Sequence, residues 1–242
     1  MTLRTAGRVV GGLLLAAFFL YFGGSSLIVS AAGTSTPVPE NATSVGLLSL
    51  GAVLVLLNSA AVVTIGVLAF RVLHRGHRRT ARVYLATRTA EAVLLALAPL
   101  GMLTLAVLAP GAAETSGAVD SGLPSLARSL VENGESQYSL AMATLGVGSI
   151  FFCRALLRSG LLPRFLATWG IVGYAIFALG SVLDLAGYAV GIAAAVPGGL
   201  FEVAAGSYLL VKGFREAMPD APATPSPALP VGAVRGGTSD TR

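Results

Sequence analysis

The sequence predicts an all-α polytopic membrane protein, a six-helix transmembrane bundle, and three observations carry that expectation. Hydrophobic residues make up 55% of the 242 positions and charged residues only 11%, a balance far from that of a soluble domain. Mean hydropathy is +0.80. The apolar residues gather in six runs, each long enough to cross ~30 Å of hydrocarbon as a helix of about 20 residues. Basic residues gather in the short stretches between these runs, so the net charge of +5 reads as contact with anionic lipid headgroups and not with nucleic acid.

In chain order, Arg4 and Arg8 precede a first span at about 9–32. Val29-Ser30-Ala31 looks like a signal-peptidase site. The run nevertheless exceeds a signal core of about 7–15 residues, so a retained span with a cytoplasmic N-terminus is expected. Residues 33–44, with Pro37, Pro39 and Glu40, read as an external loop before a second span at about 45–70. Arg71, Arg75, Arg78, Arg79 and Arg82 then crowd a segment too basic to be translocated, which places it inside. His74 and His77 have the spacing of a metal pair, but no acidic or cysteine partner accompanies them. A solvated face against anionic headgroups is the expectation, with no metal and no cofactor.

The third span, about 83–108, contains Pro99, which is expected to kink the helix or loosen its outer half. Ala109 to Glu135 carries Glu114, Asp120, Glu132 and Glu135 against Arg128 and reads as the longest external segment. Within it, residues 123–131 are expected as a short helix on the membrane surface. A fourth span, about 137–157, leads to an inside turn marked by Arg154, Arg158 and Arg164 and tightened by Pro163. The fifth, about 167–188, opens at Trp169 as an interfacial anchor and carries Asp184 as a solvated span end. The sixth, about 191–212, passes Pro197 and Glu202 to Lys212 and Arg215. Residues 1–216 thus form one six-span domain, and the Pro-, Ala-, Gly- and Thr-rich stretch 217–242 is expected to be a disordered cytoplasmic tail.

The run from Tyr84 to Leu95 sets Arg88 and Glu91 three residues apart, on one helical face, inside apolar surroundings. Rising ~1.5 Å per residue, Arg88 lies about 9 Å and Glu91 about 13 Å from Arg82; Glu202 lies about 15 Å from Lys212, and Asn58 about 19 Å from Arg71. Asn58, Arg88, Glu91 and Glu202 are therefore expected as one intramembrane polar cluster. Arg88 is the only cation available to two carboxylates, which predicts a shared guanidinium or a protonated glutamate, and predicts that Arg88 and Glu202 approach each other.

Two readings of this cluster stay open. It is a site for an ion, proton or small substrate in a small transporter or ion-coupled protein, or it only stabilises helix packing in a structural or regulatory membrane protein. An intramembrane enzyme is a third and less favoured class, since neither His-Glu-x-x-His nor Gly-x-Ser-x-Gly occurs to supply metal hydrolysis or acyl transfer. Cys153, the single cysteine, reads as a small buried hydrophobe. Gly146-Val-Gly148, Gly170-Ile-Val-Gly173 and Gly180 point to close helix contact, and a homo-oligomer is left open.

Four motifs recur in order over about residues 4–215. They are Asn58 before the basic segment; Tyr84 to Ala92 with its Arg-x-x-Glu; Arg158-Ser-Gly-Leu-Leu-Pro163-Arg164 leading into Trp169-Gly170; and Leu200-Phe-Glu202 through Lys212-Gly-Phe214. In these the chain resembles a widespread bacterial family of six-span membrane proteins known only as domain of unknown function number 4386. The Leu-Pro-Arg followed by Trp-Gly is the most specific part. The resemblance implies the six-span fold and the polar positions only, and no activity; separately, the chain is expected to be multi-pass in the plasma membrane with both termini cytoplasmic.

Overall fold

A computed structural model of the chain describes residues 1–31, 42–114 and 123–215. Most of the loop expected over 33–44, together with Asp120 and the tail expected over 217–242, lies outside these residues. Six helices account for almost all of the described chain: α1 (Leu3–Ala31), α2 (Ala42–Leu73), α3 (Arg78–Glu114), α4 (Leu123–Ser159), α5 (Arg164–Leu185) and α6 (Gly191–Lys212). All six are long and apolar enough to cross a membrane, and no strand occurs among the described residues. The protein is an all-α integral membrane protein.

Each helix packs on its neighbours in sequence, and α6 returns to α1, so the six form a closed up-and-down ring. In that order α3 stands opposite α6, α1 opposite α4, and α2 opposite α5. Lipid tails are as apolar as leucine, so helices associate there through close packing rather than through a hydrophobic drive. The ring meets this demand with a glycine at every seam. A Cβ on Gly24 would stand 2.7 Å from the Gly51 carbonyl oxygen between α1 and α2, and one on Gly66 would stand 3.0 Å from the Arg88 Cβ between α2 and α3. Gly148 receives Thr87, Gly146 receives Ala178, and Gly173 receives the Pro197 carbonyl. At the closing seam, a Cβ on Gly11 would collide with the Leu210 amide and the Gly206 oxygen.

One end of the ring gathers the basic residues. Arg4 and Arg8, the α2–α3 turn, the α4–α5 turn and the end of α6 all meet there, joined by the Arg8 guanidinium on the Val211 carbonyl and the Arg215 amide on Leu161. Gly213, at φ 72°, ends α6 and lets the chain fold back, so that Phe214 is driven inward and is only 1% exposed. The opposite end carries the exposed Glu132 and Glu135.

That opposite end is uneven. The 37-residue helices α3 and α4 are about 55 Å long, whereas the 22-residue α5 and α6 are about 33 Å, so the α3–α4 hairpin overshoots α5 and α6 by about 20 Å. Residues 123–131 are consequently not a separate surface helix but the first turns of α4. The cause is continued packing: Leu130 fills the space at Gly101, and Gly134 sits on Ala98. Helix α3 also runs without interruption through Pro99.

The closing seam has no slack, and a methyl group on Gly11 meets backbone atoms that cannot rotate away. Gly11→Ala should therefore cost about 1–3 kcal/mol and lower the unfolding temperature in detergent. Gly46→Ala, which meets nothing within 4 Å, should leave it unchanged or slightly raised.

Candidate functional site

Tyr84, Arg88 and Glu91 recur at helical spacing, which turns all three toward the inside of the ring, where each is at most 3% exposed. Arg88 Nη1 donates to Glu91 Oε2 at 2.8 Å. The Arg88 Cζ stands 5.5 Å from the centroid of the Tyr84 ring, a cation–π contact, and Tyr84 in turn stacks on Phe152 of α4 at 4.2 Å. The absence of a side chain at Gly66 lets α2 press on the Arg88 stem. Within this enclosure Arg88 Nε has no hydrogen-bond partner.

Across the ring, the Tyr174 hydroxyl of α5 donates to Glu202 Oε1 of α6 at 2.7 Å, and the Tyr174 ring meets Phe201 edge-on at 5.4 Å. Glu202 lies within electrostatic reach of Arg88, Glu91 and Tyr138. Among the described residues, Arg88–Glu91 is the one ion pair within 4.0 Å, so the Glu202 carboxylate takes a tyrosine hydroxyl rather than a direct share of the guanidinium. Asn58 is buried on α2, but no hydrogen bond joins it to the other three among the described residues. It lies eight positions beyond Gly66, about 12 Å farther from the basic end.

Helix register explains why these groups form a layer. Arg88, Tyr174 and Glu202 each stand ten positions from the basic end of their helix, about 15 Å along the axis, as does Ser149 of α4. The Ser149 hydroxyl is fully buried and without a partner. On the basic side of this layer lies an apolar cavity of about 20 Å³, lined by Tyr84, Phe152, Leu162, Tyr174, Phe201 and Leu209 among others, with room for about one water molecule. On the other side, Tyr21 of α1 stacks on Tyr138 of α4 across the ring, with centroids 5.4 Å apart and planes 16° apart. The polar layer is thus held between an apolar plug and an aromatic pair.

Residues outside the layer have other roles. Asp184 is not simply a solvated span end. Its Oδ1 accepts the Gly191 amide at 3.2 Å and its Oδ2 the Ser139 hydroxyl at 3.4 Å, which ties α4, α5 and α6 together. Gly187, at φ 91°, makes the tight turn that brings Gly191 back to it. Cys153 is fully buried against Gly170, and Trp169 sits more than a turn inside α5, edge-on to Phe201. His74 is exposed and stacks on Phe70, whereas His77 lines a groove with Arg154 and Arg158.

A family model described as Domain of unknown function (DUF4386) matches residues 9–213, from the first turns of α1 to the glycine that ends α6. The chain belongs to this family. No curated protein and no solved structure matches it. The DUF4386 match spans the whole ring and includes Asn58, Arg88, Glu91 and Glu202. Sequence reasoning missed Tyr174, Tyr21 and Tyr138, because a tyrosine in an apolar run looks like an amphipathic core residue. The available signal was register: Tyr174 lies as far from Arg164 as Glu202 does from Lys212.

Breaking the ion pair from one side leaves a buried, uncompensated carboxylate. Arg88→Ala should cost on the order of 3–5 kcal/mol, and Arg88→Ala with Glu91→Ala should recover a large part of that loss in a thermal melt. Equal losses in the single and double variants would show that Glu91 does not depend on Arg88.

Proposed function

We propose that this DUF4386 protein is a small ion-coupled membrane protein whose polar layer of Arg88, Glu91 and Glu202 binds and releases a proton or a small cation, with Asn58 standing apart from it on α2. The observation that carries the reading is Glu202. It is a half-buried carboxylate in a ring whose one buried cation among the described residues, Arg88, is already hydrogen-bonded to Glu91. Two carboxylates against one guanidinium leave a negative charge, and an unpaired charge at that depth costs at least ~2.5–3.5 kcal/mol. One exchangeable proton, or a small cation, removes it. Tyr174 fixes the orientation of Glu202 through a neutral hydroxyl, which can hold the carboxyl in either state of charge. The cavity beside the layer, about 20 Å³, is too small for an organic substrate.

The alternative is a structural or regulatory protein whose charges only hold the ring together, and the local 2.8 Å pair within α3 favours it. Flux measurements separate the two. Proteoliposomes loaded with a pH-sensitive dye should acidify after an external acid pulse when they contain the wild-type chain. Glu202→Gln should abolish this without lowering the melting temperature. Folded wild-type protein that moves neither protons nor sodium nor potassium ions would leave only the structural reading.

We also place the basic end in the cytoplasm of a bacterial cell, with the protein multi-pass in the plasma membrane and both ends of the chain inside. The support is the collection of exposed arginines at one end and of Glu132 and Glu135 at the other. Anionic headgroups are then the natural partners of the basic end. In intact cells, an impermeant thiol reagent should modify Glu135→Cys and spare Gly76→Cys; the opposite pattern inverts the topology.

A further inference from the structure

The groove at the α3–α4 seam is distinct from the interior layer, and its walls change character along the membrane normal. At the basic end it is lined by His77 and Thr80 from the start of α3 and by Arg154 and Arg158 from the last turns of α4, and it holds about 250 Å³. Both arginines are exposed, and no carboxylate lines the groove among the described residues. Arg154 and Arg158 are four positions apart and so project together. One turn deeper the wall becomes Phe151. Beyond it the same two helices present Val83, 43% exposed, and Val147, 47% exposed, three positions past Thr80 and four positions before Phe151.

We propose that this groove is a built site for one anionic phospholipid, with its phosphate held by Arg154, Arg158 and Thr80 and an acyl chain laid along Phe151, Val147 and Val83. The inference rests on the membrane orientation proposed above, which puts the basic end at the headgroups of an anionic leaflet. A free phosphate ion would use the cations and the hydroxyl but gains nothing from Phe151 or the apolar seam below it. A lipid uses both halves, because its own polarity changes at the same depth as that of the groove. Hydroxyl and guanidinium donors converge on one oxyanion, and an arginine matches phosphate with two parallel N–H donors where a diffuse surface offers only charge. Unlike the scattered arginines of the α2–α3 turn, this pair stands on helical backbone already fixed by the seam at Gly148 and Thr87.

The test is lipid retention. Protein reconstituted in nanodiscs of phosphatidylcholine with a minor fraction of phosphatidylglycerol is extracted into detergent, and the lipid that stays bound is counted by native mass spectrometry. The wild-type chain should retain one phosphatidylglycerol and exclude phosphatidylcholine. A basic side chain at an anionic surface is worth about fivefold, so Arg154→Gln with Arg158→Gln should lower retention by about 25-fold. Arg71→Gln with Arg75→Gln removes the same charge from the neighbouring turn and should change it by less than about threefold. Equal losses in the two double variants would overturn the site while leaving general headgroup attraction intact. Wild-type protein without preference for phosphatidylglycerol would overturn the site and the headgroup reading together. Inorganic phosphate that displaces the bound lipid at millimolar concentration would overturn the lipid in favour of a free anion. Because both arginines are exposed, the variants should melt with the wild type, and Phe151→Ser supplies an independent arm that weakens lipid retention without removing charge.

Discussion

The ion pair of Arg88 with Glu91 is the constraint that the rest of the ring is arranged to satisfy. A guanidinium at that depth is tolerable only if it is matched and hidden, and an i,i+3 partner matches it within a single helix. The charges can therefore neutralise each other as α3 forms, before the ring closes. Hiding them needs neighbours on every side: Gly66 on α2 to admit the stem, Tyr84 and Phe152 to cover the plane of the guanidinium, and the facing wall of α5 and α6. A sequence lacking any of these would expose the pair to lipid or to a void.

Local satisfaction of Arg88 has a consequence for the far wall. If the guanidinium were shared equally, Glu202 would be a second ligand of one cation and the layer a closed salt-bridge network. Glu202 instead bonds to Tyr174, and Arg88 Nε and the Ser149 hydroxyl are left unpartnered at the same depth. Buried polar groups are costly to leave unmade, at about 1–3 kcal/mol each. A layer built only for packing gains nothing from two unpartnered groups where leucine or alanine would serve. On the ion-coupled reading, this imbalance, rather than the presence of charges as such, is what favours a site over a staple.

Much of the fold was legible in the sequence because the bilayer imposes one dominant length scale. Six apolar runs, and arginines between alternate ones, sufficed to give a six-helix protein with one basic end. The ring order was not legible, since hydropathy says nothing about which helix touches which. The glycines that define the seams were visible only as small residues common in membrane spans. The expected surface helix at 123–131 failed for a related reason: Glu132 and Glu135 marked the end of hydrocarbon, which is not the end of a helix, and packing of Leu130 against Gly101 carries α4 well past it. Arg88, Glu91 and Glu202 stood out because charge in an apolar run is conspicuous. Tyr174 did not, although it makes the decisive hydrogen bond, because its apolar ring matches its surroundings and only its hydroxyl does not.

The two sides of the polar layer are closed by different means, packing tied to a backbone hydrogen bond on one and an aromatic pair on the other. At the basic end, Phe214 is almost wholly buried beside Leu161 and Leu162, and the Arg215 amide is bonded to the Leu161 carbonyl. Withdrawing one such phenyl ring into water forfeits about 1.5–3 kcal/mol, with the leucines and the backbone bond to be added. On the other side, Tyr21 stacks on Tyr138, a contact worth about 0.5–1.5 kcal/mol in addition to the area it buries, and farther out Ala31, Leu48, Met102 and Ala106 form a second apolar core. Both tyrosines are half-buried, so their rings swing aside with less repacking than a fully enclosed side chain requires. Tyr138 also lies within electrostatic reach of Glu91, Glu202 and Asp184, between the polar layer and the α5–α6 turn. On the ion-coupled reading, the Tyr21–Tyr138 pair is the aromatic contact that stands between Glu202 and the end that carries Glu132 and Glu135.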